Sequence, residues 1–179
     1  MRHANPGTNL LDELAGHLGH ERHLLELLLF KLVEGKHLLA AGEARFLPYA
    51  TTELVRAGER VLEAVLRRGM LVSQVARGLD TPEDRLTLNI LARQSVEPYR
   101  MIFADHHRAF IDLAAEVTEV TRQSRDLAAD RAHHVEERLV VVDADISGAL
   151  MEHLTRSGYQ AFLGATAGLS MPSLVDFLR

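Results

Sequence analysis

The chain has 179 residues, 47% of them hydrophobic, and a formal net charge of −5, which is enough apolar material for the core of one domain, or one domain plus a tail. It has no cysteine, which excludes disulfides, thiolate metal sites and thiol nucleophiles and fits a reducing compartment. Acidic and basic residues are interleaved, with no basic block beyond Arg67 and Arg68, so a surface that tracks nucleic-acid phosphates is not expected.

Aromatic residues make up only 5% of the chain. Leu, Ala, Glu and Arg dominate, all strong helix formers, and a core of Leu and Ala suits helices packed side by side. Residues 1–8 read as a flexible, polar N-terminus without an apolar signal core. A sustained seven-residue repeat follows: Leu11, Leu14, Leu18, Glu21, Leu25, Leu28, Leu32, Gly35, Leu39, Gly42 and Phe46 alternate at spacings of three and four. That pattern predicts a long first helix that must bury its stripe against partner helices. Gly42 and Pro48 bracket a turn. A second helix is predicted on Leu54, Gly58, Val61, Val65, Val72 and Val75, with Leu62 and Leu66 widening the seam and Arg68 interrupting it and snorkelling to solvent. It ends near Gly78. Thr81 reads as an N-cap with Pro82 at the first position of a short helix running to about Arg93. Glu97-Pro98 marks a restart. A third long helix follows on Tyr99, Phe103, His106, Phe110, Leu113, Val117, Val120, Ser124 and Leu127, and its seam decays at Arg131, His134 and Arg138. The expected fold is therefore all-α: an antiparallel bundle or coiled coil of three long helices with one short helix, spanning 9–138. No run of about 18 apolar residues is present, so no membrane span is expected.

Residues 139–179 change character. The stretch 157–175 carries no charge and is punctuated by Gly158, Gly164 and Gly168. It reads as a partly irregular apolar segment that something must cover. It either folds back to cap the bundle or captures a partner helix. Under the second reading Leu139, Val142, Ile146, Leu150 and Leu154 form a stripe at three-to-four spacing, and Tyr159, Phe162, Leu163 and Leu169 extend it.

Enzymatic chemistry finds little support. His17, His20 and His23 lie three apart on one helix, where the third rotates away from the first, so a metal site there is not expected. A carboxylate-bridged dimetal bundle needs Glu-x-x-His on two helices; only Glu34 with His37 fits, and Asp130 with His133 is an Asp variant. The nucleophile-elbow and phosphate-loop motifs are missing. Ser124 reads as a packing residue and His106 as a core or boundary histidine. No cofactor is expected.

The run Glu21-Arg22-His23-Leu24-Leu25-Glu26-Leu27-Leu28-Leu29-Phe30-Lys31-Leu32, with Leu38-Leu39-Ala40-Ala41-Gly42 and Val96-Glu97-Pro98-Tyr99-Arg100, resembles the FlgN-type flagellar export chaperones over about residues 9–140. The resemblance implies a cytoplasmic, non-enzymatic bundle, monomeric or dimeric. Such a bundle binds the C-terminal helical ends of hook–filament junction (hook-associated) proteins before type III secretion and meets components of the export apparatus. It also implies that binding lies toward the C-terminus, in residues 139–179. The competing expectation is a coiled-coil adaptor that self-associates without a secreted client.

Overall fold

The computed structural model describes residues 6–141, 146–167, 169 and 172–179, with side chains described at 9–135, 153–167, 169 and 174–179. Among the described residues every regular element is helical: α1 (Pro6–Ala41), α2 (Leu47–Gly78), α3 (Leu88–Gln94), α4 (Tyr99–Val141), α5 (Ile146–Ala167) and α6 (Pro172–Leu178). The protein is an all-α helical bundle built on three long helices of 36, 32 and 43 residues.

Two compact units divide the chain. One takes Met1–Glu26, Glu59–Ala115 and Met171–Arg179, and the other takes Leu27–Gly58 and Glu116–Ser170. Each long helix thus contributes one stretch to each unit. Residue 138 falls inside α4.

In the first unit α2 runs antiparallel to α1. Leu10 lies at Gly78, while Leu24 shares a cleft with Arg60. Helix α4 runs parallel to α1: the Tyr99 hydroxyl donates to Asp12, and Arg22 pairs with Asp105 at 3.3 Å. Buried in this unit are Leu14, Leu18 and Leu25 of the α1 seam, Leu71 and Val75 of α2, Leu88 and Leu91 of α3, Phe103 and Phe110 of α4, and Leu174 and Phe177 of α6. In the second unit Lys36 binds Gln123 at 3.0 Å, and Arg131 donates to the Ala40 carbonyl at 2.9 Å. Its core holds Leu28, Leu32, Leu39, Leu47, Leu54, Val117, Ala128, Tyr159 and Phe162.

Local sequence accounts for the ends of the helices. Gly42 has φ +73°; its N–H donates to the Leu39 carbonyl at 3.1 Å and that of Glu43 to Leu38 at 3.0 Å. This left-handed cap, which glycine adopts without strain, closes α1. The same device ends α2, with Asp80 at φ 51° and the Thr81 N–H bonded to the Ala76 carbonyl at 2.9 Å. The Thr81 hydroxyl turns back to donate to the Leu79 carbonyl at 3.2 Å rather than capping a new helix, and Pro82 is extended at ψ 134°. The short helix starts later, where the Thr87 hydroxyl accepts from the Ile90 N–H at 3.3 Å. The restart at Glu97-Pro98 opens α4, whose backbone continues through Arg131, His134 and Arg138 to Val141.

The C-terminal segment is more regular than its composition predicts. Helix α5 brings Phe162 over Gly35, where the ring lies against the position a Cβ would occupy. A Cβ at Gly158 would stand 3.7 Å from that of Leu47. Glycines on both helices thus allow α5 to pack closely on the second unit's core.

Candidate partner-binding surface and a buried ion pair

The residues expected to bind a partner do not form one exposed stripe. Tyr159 and Phe162 are buried in the second unit, held by the packing just described. Leu163 and Leu169 are half-buried, and Leu154 is 58% exposed. Leu139 lies on α4 and Ile146 and Leu150 on α5, with side chains outside the described ones; Val142 lies outside the described residues. The absence of charge from 157–175 has a packing explanation: Tyr159, Phe162 and Thr166 turn inward at helical spacing, and Leu174 turns inward on α6. The Thr166 hydroxyl meets its need locally, at 3.1 Å from the Phe162 carbonyl.

Helix α2 supplies an exposed apolar surface, and Leu62 and Leu66, expected to widen the seam, lie on it. Its core face is Ala57, Val61, Ala64, Arg68, Leu71, Val72 and Val75. Leu62, Leu66 and Met70 are 59%, 63% and 61% exposed. They recur every four residues and so share one face, on the solvent side of the helix. The signal that separates the two faces is the pair of alanines at 57 and 64, small residues that let α2 approach its neighbours closely while the larger leucines stay outside.

Beneath α2 lies a buried pair, Arg68 with Glu21. Arg68 does not snorkel; it is 3% exposed, and its Nη1 donates to Glu21 Oε1. Glu21 occupies a seam position of α1 and is fully buried. The Arg68 guanidinium also lies 4.7 Å from the centre of the Phe177 ring, a cation–π contact that helps replace lost water. Among the described residues Glu21 Oε2 has no hydrogen-bond partner. Burial pushes the Glu21 carboxyl up to about 7, with Arg68 opposing; burial likewise lowers Arg68, with Glu21 opposing.

Beside this pair is a cleft of about 430 Å³ lined by His17, His20 and Leu24 of α1 and Arg60, Glu63 and Arg67 of α2. His17 Nε2 lies 2.8 Å from the Ala64 carbonyl; a carbonyl only accepts, so Nε2 carries the proton. Burial pushes His17 below its usual range, the Ala64 bond opposes this, and Arg67, His20 and Arg68 lower it further. Among the described residues no group of three or more His, Cys, Asp or Glu is arranged to hold a metal, and no helix is long and apolar enough to cross a membrane. Comparison with protein-family models, curated proteins and solved structures finds no match.

Proposed function

We propose that this protein acts by binding another protein, as a cytosolic export chaperone that covers the amphipathic C-terminal helix of a flagellar hook–filament junction protein before secretion. The observation that carries the reading is the exposed Leu62–Leu66–Met70 stripe on a long, well-packed helix. Three large apolar side chains at helical spacing match the way an amphipathic helix presents its own anchors to a groove or a neighbouring helix. The resemblance of residues 9–140 to FlgN-type chaperones supplies the client class. The binding surface now proposed is α2 of the first unit rather than the C-terminal segment, whose described aromatic residues serve the core.

Leu66→Asp tests this. Leu66 stands in solvent, so the charge leaves the core untouched and the thermal midpoint should stay within about 1–2 °C. Losing one buried leucine anchor removes roughly 1.5–3 kcal/mol, so affinity for a coexpressed junction protein should fall about ten- to a hundredfold. Coelution on a sizing column reads the result. Undiminished coelution with Leu66→Asp would remove the stripe from the interface. Self-association of the chain alone, abolished by the same substitution, would instead identify the stripe as a contact between two copies and the protein as an adaptor.

A further inference from the structure

The cleft between α1 and α2 in the first unit has a composition that protein–helix recognition does not call for. Arg60 and Arg67 are seven residues apart, two helical turns, so both guanidinium groups stand on one side of α2. They share the cleft with the His17 and His20 imidazoles, whose ring centres are 6.4 Å apart. Glu63 is its one carboxylate. Two permanent positive charges therefore face one negative charge, and the His20 imidazole adds an N–H donor, while the His17 Nε2–H is spent on the Ala64 carbonyl.

The cationic groups are only weakly committed elsewhere. Among the described residues Arg60 makes no ion pair or side-chain hydrogen bond. Arg67 has only a loose pairing with Glu13 at 3.7 Å, between half-exposed side chains, which contributes little in water. The buried Arg68 is already matched by Glu21 and is not needed for the argument. The arginines that bear on His17 are Arg67 and Arg68, both of one sign.

We propose that this cleft binds the phosphoryl group of a small organic phosphate. A phosphoryl dianion offers several acceptor oxygens to two planar guanidinium forks and the His20 imidazole, whereas a single carboxylate would be satisfied by one of the arginines. The volume of about 430 Å³ is in the range of small-molecule sites and leaves room for more than the phosphoryl group itself. Leu24 and Ala64 supply an apolar wall for the rest of the ligand. The proposal does not depend on the chaperone reading, because the Leu62–Leu66–Met70 face can bind a helix whether or not the cleft is filled.

The test is titration of the full chain with phenyl phosphate and, separately, with inorganic phosphate at constant ionic strength. Binding is followed by calorimetry and by the His17 and His20 imidazole resonances. Phenyl phosphate should bind at one site and shift both imidazoles. Arg60→Gln and Arg67→Gln should each weaken it about tenfold. Arg77→Gln, which removes the same charge from α2 outside the cleft, should leave it unchanged. Inorganic phosphate binding as tightly as phenyl phosphate also supports the site and identifies free phosphate as its ligand. Tighter binding of phenyl phosphate identifies an ester. Absence of saturable binding by either probe overturns the proposal, and so does an equal loss in Arg77→Gln, which would reduce the effect to general electrostatic attraction.

Discussion

Replacing Glu21 with alanine should destabilise the chain by about 3–5 kcal/mol, because it leaves the buried Arg68 guanidinium without its carboxylate. Arg68 cannot recover that energy by turning to water while it remains 3% exposed with Phe177 stacked against it. Denaturant unfolding measures the loss. Two further variants separate the worth of the pair from the cost of breaking it. Arg68→Met alone should also be costly, since it buries an unpaired carboxylate. The double change Glu21→Leu with Arg68→Met should come close to wild type or exceed it, because an apolar pair of similar volume has no desolvation cost to overcome. A loss below about 0.5 kcal/mol for Glu21→Ala would be the behaviour of an exposed site and would contradict the burial.

The same carboxyl gives stability a pH dependence of defined sign. Burial raises Glu21 from 4.5 to about 7, so between those values the folded chain holds a proton that the unfolded chain has released. Its contribution is full below pH 4.5 and is lost as pH rises through 7, with a slope of at most about 1.4 kcal/mol per pH unit. His17 and His106 act in the opposite sense. Burial lowers both from 6.5, so their contribution is present above 6.5 and falls away as the solution is acidified. Comparison with Glu21→Gln cancels the histidines. Wild type should lose ground to Glu21→Gln between about pH 4.5 and pH 7 and level off above that, measured by urea unfolding at each pH. A constant difference would mean that Arg68 holds the carboxyl at its ordinary value.

The α1 seam was legible because a long helix with a strict repeat has one choice of inward face. Leu14, Leu18, Leu25, Leu28, Leu32 and Leu39 are all fully or almost fully buried. Helix α2 was less legible because its sequence offers two stripes. Val61, Val72 and Val75 point inward with Ala57 and Ala64, while the larger Leu62 and Leu66 point out. Hydrophobicity alone favours the leucines; close helix approach favours the alanines, and approach decides it. Arg68 was misread for a related reason. One-dimensional patterning sees a charge on a seam but not the Glu21 carboxylate 47 positions away that accepts from it. Thr81 was a plausible cap by type, but its hydroxyl is turned back to the Leu79 carbonyl by the way α2 ends.

The charge-free C-terminal stretch raised the choice between a capping segment and a sticky one, and Phe162 tests that choice. Its ring is fully buried, against Gly35 of α1. Phe162→Ala should therefore cost about 3–5 kcal/mol and lower the thermal midpoint by roughly 10 °C. Leu154→Ala, eight positions earlier on the same helix and 58% exposed, should change stability by no more than about 0.5 kcal/mol. Amide hydrogen exchange across α5 and Leu28–Leu39 locates the effect, which should fall on the second unit. The contrast also bears on how partner binding is measured. A chain cut after Arg138 loses Tyr159 and Phe162 from that core, so failure of such a chain to bind a client would report unfolding rather than a missing interface. The converse result, an unchanged midpoint with client binding lost in Phe162→Ala, would move Phe162 out of the core and restore the C-terminal segment as the gripping surface.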